Sequence, residues 1–172
     1  MPDPSDLLAV SRLLLSAGPP DPPSEAQLRR AVSTAYYALF HKVLRAGAER
    51  FMGPDKQQSA GYNLLYRGFN HGRMKSVCEA LNVATLSKAL QRQLGRTAVS
   101  QEMRDFVSAF SLLQEARHLA DYDPSAGFVL SDSAALVEAA DAAMTAFDQV
   151  MPDERADVLA LLLVNVRGET MR

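Results

Sequence analysis

Apolar residues recur every three or four positions along almost the whole chain, and no stretch alternates apolar and polar positions as a half-buried strand would. The spacing predicts a first helix over about 4–17, with Ser5 or Asp6 as its N-cap and Gly18-Pro19-Pro20 as its stop. Beyond "GPPDPPS", Ser24 is a cap candidate with Glu25 in the first turn, and a second helix is expected over about 25–50. Leu28, Val32, Ala35, Leu39, Val43 and Ala46 form its core-facing stripe, and Ala31, Ala35 and Ala38 are small enough to admit a close partner helix. "FMGPD" ends it. Shorter helices are expected over about 57–69, 71–81 and 84–94, interrupted by Gly61, Gly68 and Gly72.

Ser100 caps the next predicted helix, which runs to about 122 with Met103, Phe106, Phe110, Leu113, Ala116 and Ala120 on its apolar side. Pro124 ends it, because proline disfavours helical geometry in the residue before it. A helix over about 131–150 buries Leu136, Val137, Met144 and Phe147, and a last one follows "MPDE" over about 153–167. The expectation is a single all-α domain over residues 1–172, a bundle of about five to seven helices, whose final segment 153–172 serves assembly.

Composition adds two constraints. With 48% hydrophobic and 22% charged residues, the chain has the make-up of an ordinary globular protein. The single Cys78 has no partner for a disulfide or a CxxC site; it fits a reducing compartment and reads as a small buried hydrophobe. Acids precede the first apolar run where a signal peptide would be basic, and "VLALLLVNV" is far short of the ~20 apolar residues of a membrane span. A cytoplasmic location without membrane contact is expected.

Charge is uneven. Residues 1–99 hold 13 Lys/Arg against 7 Asp/Glu, whereas residues 100–172 hold 5 against 13. Lys56, Arg67, Arg73, Lys75, Lys88, Arg92 and Arg96 face only Glu79 within their segment. Such a cluster attracts phosphates or pairs with acidic helices of the fold or of a second copy. No Gly-rich phosphate loop, HExxH, paired-cysteine metal site or G-x-S-x-G elbow is present, so neither cofactor nor metal is expected.

Two stretches carry polar chemistry. "RRAVSTAYYALFHK" places Arg30, Thr34, Tyr37 and His41 in one stripe of a helix. "LLQEARHLADYDP" sets Arg117 four residues before Asp121 and His118 four before Tyr122, so each pair faces one way. Arg67 and His71, beside Asn70, form a weaker third pair. For each residue alone, packing or a local ion pair is the simpler explanation. As a stripe, several hydrogen-bonding groups on one side need partners.

In that order, "RRAVSTAYYALFH" and "LLQEARHLADYDP" resemble the HEPN (higher eukaryotes and prokaryotes nucleotide-binding) family over about residues 5–150, with "YYALFH" and "ARHLADYD" as the strongest blocks. The resemblance implies a helical bundle that commonly dimerises and in many members cleaves RNA without metal or serves toxin–antitoxin and defence systems. In its ribonuclease members, an arginine followed four to six residues later by histidine lies at the dimer cleft. There arginine neutralises the scissile phosphate and histidine moves the proton. Here the fourth residue after Arg117 is Asp121 and the fifth is Tyr122, while His118 is adjacent to the arginine.

Three readings follow. The first is a non-catalytic or weakly catalytic HEPN-like module that binds a nucleotide or RNA, using Arg30, Thr34, Tyr37, His41, Arg117, Asp121 and Tyr122. The second is a metal-independent endoribonuclease of toxin type with Arg117 and His41 or His118 as catalytic candidates. The third is a structural module that binds a partner protein. A homodimer is expected.

Overall fold

The computed structural model describes residues 2–16 and 21–163. Among them the protein is all-α, with eight α-helices, one short 3-10 turn and no strand. The helices are α1 (Pro4–Ser16), α2 (Glu25–Met52), α3 (Ala60–Gly68), α4 (His71–Leu81), α5 (Lys88–Leu94), α6 (Gln101–Tyr122), α7 (Leu130–Gln149) and α8 (Pro152–Leu163). The three short middle segments stand as separate helices, which brings the number to eight. The expected stop at Gly18-Pro19-Pro20 and the last residues of the expected final helix, 164–167, lie outside the described residues.

Capping chemistry sets most of the boundaries. Ser24 Oγ accepts from Gln27 N at 3.3 Å while Gln27 Oε1 accepts from Ser24 N at 2.8 Å, a reciprocal capping box at the start of α2. Ser59, Asn70, Ser87 and Ser100 cap α3, α4, α5 and α6 in the same one-way sense, each accepting from the amide three residues on. The first helix departs from the expectation. Pro4 occupies its first turn and Asp3 Oδ1 accepts from Ser5 N at 2.9 Å, so Asp3, not Ser5 or Asp6, is the capping side chain. The segment expected to be helical from 57 instead makes a 3-10 turn at Pro54–Lys56 and begins α3 only after Ser59; 84–87 is likewise outside α5. Gly53 leaves α2 at φ 94° and Gly95 ends α5 at φ 65°, backbone conformations that glycine adopts without a Cβ penalty.

The chain divides into two compact units. The first comprises Met1–Lys42 and Ala109–Thr145. In it, Val32, Ala116 and Ala120 form a buried cluster covered by Phe128 and Leu136, and Tyr36 meets Phe110 with ring centroids 5.7 Å apart. Ala31, Ala35 and Ala38 have no exposed surface, consistent with their role as small contact residues. Ser11 of α1 donates to Ala31 O at 2.6 Å, and Arg12 reaches Glu138 and Asp141 of α7 at 2.9 and 2.7 Å.

The second unit comprises Val43–Ser108 and Ala146–Arg172. Phe106 and Phe147 pack with centroids 4.7 Å apart, and Tyr62, Met74, Leu81 and Leu159 are buried around the short helices. Each such large side chain taken out of water contributes roughly 1.5–3 kcal/mol before conformational entropy is counted. Cys78 is a buried thiol, as its sequence context suggests. No helix among the described residues is long and apolar enough to cross a membrane.

Candidate functional site

The predicted stripe on α2 does not act as one set. Arg30 is exposed. Thr34 is buried, and its hydroxyl donates to Arg30 O at 2.7 Å, so the helix's own backbone absorbs it. Tyr37 and His41 are half-buried and lie along one edge, with ring centroids 6.4 Å apart.

Tyr37 is the residue that joins the two sequence stretches. Arg117 Nη2 donates to Tyr37 Oη at 2.8 Å and to Tyr122 Oη at 3.3 Å. The guanidinium carbon stands 5.4 Å from the Tyr37 ring centre and 5.1 Å from that of Tyr122, so two aromatic faces flank one cation. Asp121 Oδ2 lies 2.7 Å from Arg117 Nε, yet off the line of a hydrogen bond, so the contact is an ion pair by proximity. Burial opposes the charge on Arg117, but the hydrogen bond to Tyr37 and the potential of Tyr37, Asp121 and Tyr122 outweigh it and raise its pKa. Arg117 is therefore a fixed cation.

Its remaining nitrogen, Nη1, makes no hydrogen bond among the described residues and keeps some solvent access. Its two N–H donors are thus left unpaired among the described residues. Beside them, the Tyr122 hydroxyl accepts from Arg117 while its own hydrogen has no acceptor among the described residues, and Tyr122 is 63% exposed. His118, also exposed, lies against the Tyr122 ring with centroids 5.3 Å apart. Neither His41 nor His118 is a hydrogen-bond or ring partner of Arg117.

The third pair dissolves. Asn70 is the N-cap of α4, so Arg67 ends one helix and His71 begins the next, and they share no continuous face. Much of the basic cluster is likewise engaged within its own unit. Arg73 donates to Leu161 O and Leu162 O at the end of α8, Arg96 pairs with Asp157 at 2.5 Å, and Lys75 lies 3.7 Å from Glu79. No group of His, Cys, Asp and Glu suited to a metal ion occurs among the described residues.

One residue of this region escaped the sequence reading. Arg29 pairs with Glu25 on its own helix at 2.9 Å, which in sequence looks like an ordinary surface pair four residues apart. Its guanidinium also reaches the carbonyls of Leu119, Ala120, Asp123 and Ala126 and stands 5.0 Å from the centre of the Phe128 ring. No local pattern announces those contacts.

Comparison with protein families, characterised proteins and solved structures gives no match to this chain.

Proposed function

We propose that the protein is a HEPN-like helical module that binds a nucleotide or a phosphate of RNA at Arg117 with little or no catalysis. The observation that carries this reading is the unpaired Nη1 of Arg117, a cation already held in place by Tyr37, Tyr122 and Asp121. An anion arriving there meets two guanidinium donors and the Tyr122 hydroxyl without first having to order them. The exposed Tyr122 ring and adjoining His118 offer a face on which a base can stack. Asp121 offsets most of the local positive charge, so hydrogen bonding and stacking dominate over long-range attraction. The salt dependence of binding should then be shallow, with a slope near that of one phosphate, about −0.7 for single strands.

Cleavage of RNA needs a group that takes the proton of the 2′-hydroxyl. Arg117 has phenols and a carboxylate as its partners, and no imidazole, which favours binding over the ribonuclease reading.

Fluorescence polarisation with a labelled single-stranded oligoribonucleotide tests the proposal. Binding should weaken by about 10-fold, equivalent to 1.4 kcal/mol, in Arg117→Gln and in Tyr122→Ala, with helix content unchanged by circular dichroism. Undiminished affinity in both variants overturns it. Incubation of the RNA with the wild type plus a chelator separates the readings: cleavage that disappears in His118→Ala or His41→Ala establishes the ribonuclease instead.

A further inference from the structure

We infer that Arg29 is a positioning residue for the Arg117 site, acting through the last turn of α6. The argument begins with a missing donor. In a helix the carbonyl of Ala120 would accept from the amide of residue 124, but that residue is Pro124 and has no N–H. Arg29 Nη1 supplies the donor, at 3.2 Å from Ala120 O, and the same nitrogen reaches Leu119 O at 3.3 Å and Asp123 O at 2.9 Å. Its other terminal nitrogen bonds Ala126 O, and the guanidinium face rests on Phe128. A cation at this point also opposes the negative end of the α6 dipole.

The carbonyls so tied belong to residues 119, 120, 123 and 126, which bracket Asp121 and Tyr122. Tyr122 has few other restraints. It is exposed, and its hydrogen-bond and ring partners among the described residues are Arg117 and His118. Without the Arg29 fork this turn ends at a proline with orphaned carbonyls and is free to fray. The Tyr122 hydroxyl would then leave Arg117 Nη2, and Asp121 would leave Arg117 Nε. Lysine cannot replace the fork, because one ammonium does not span carbonyls on both sides of the turn or stack on a ring.

Two measurements test this, and only the second rests on the function proposed above. In the first, tyrosine-ring NMR signals are recorded without ligand, with Tyr122 assigned from Tyr122→Phe. Arg29→Lys should move the Tyr122 signals in the direction that Arg117→Lys moves them, while those of buried Tyr62 stay in place. Unmoved Tyr122 signals in a less stable Arg29→Lys protein would show a merely structural cap and overturn the inference. Should Arg29→Lys fail to fold, Phe128→Leu, which removes the surface beneath the guanidinium, should produce the same displacement, and its absence overturns the inference equally. In the second, Arg29→Lys should weaken oligoribonucleotide binding by about 10-fold in the wild type but less than about 2-fold in Tyr122→Ala. Equal losses in both backgrounds overturn the positioning role. If the wild type binds no nucleotide, the functional proposal falls and the NMR measurement alone decides Arg29.

Discussion

Tyr37 Oη accepts a 2.8 Å hydrogen bond from Arg117 Nη2 across eighty residues of chain. It unites two motifs that a linear reading could only place side by side, and it leaves Nη1 of the guanidinium without a hydrogen bond among the described residues. Tyr37→Phe keeps the ring and removes the acceptor. The change should lower stability by about 1.5–3 kcal/mol, the usual range for a hydrogen bond to a charged group, as measured by urea unfolding. An unchanged midpoint would mean that Arg117 is held by the rings, the Tyr122 hydroxyl and Asp121.

A buried carboxylate organises the other unit. Glu154 is 5% exposed and accepts from the backbone amide of Ser100 at 2.7 Å, next to the N-terminus of α6, with Arg96 3.6 Å away. Its charge is matched by the helix end and by that guanidinium. Glu154→Ala should cost about 2 kcal/mol and Glu154→Gln about half as much, because glutamine keeps an acceptor. Thermal unfolding of both variants reads the order, and equal losses would place the whole effect in the charge.

Acid should loosen the turn after α6. Asp123 is held below the usual aspartate pKa chiefly by the Ser125 hydroxyl and backbone amide, both donating to Oδ1, at 2.6 and 2.8 Å. A depressed folded-state pKa means a contribution that is complete above the unfolded value near 4 and is lost as pH falls through the folded value. Stability measured from neutral pH downward should therefore decline less steeply below about pH 4 in Asp123→Asn than in the wild type. Parallel curves would remove Asp123 from the acid response.

Cys78 should be inert in the native protein. Burial pushes its thiol well above the ordinary range, and the thiolate is the reactive form. A colourimetric thiol reagent at about pH 8 should react with it only after denaturant is added. Rapid reaction of the folded protein would place Cys78 at the surface.

The helices were legible because their signals are short-range. Spacing marked Met103, Phe106, Phe110, Leu113, Ala116 and Ala120 as the buried side of α6, and all six are buried. Ser24 and Ser100 announced their helices because a cap bonds to an amide three residues away. The first cap and the α3 and α5 starts shifted by a few residues, since prolines and serines at such junctions offer several local solutions.

Partnership was decided only in three dimensions. Sequence put Arg30, Thr34, Tyr37 and His41 on one stripe, but which of them meets Arg117 depends on where α6 crosses α2. Tyr37 was chosen, Thr34 turned to its own backbone and Arg30 stayed in solvent. Arg29, whose sequence neighbours suggest a surface pair, closes a helix end about ninety residues away because Pro124 leaves a carbonyl without its donor. Periodicity and caps are properties of a few consecutive residues, whereas the fate of a guanidinium is settled by whichever distant acceptors the packed chain brings within 3 Å of it.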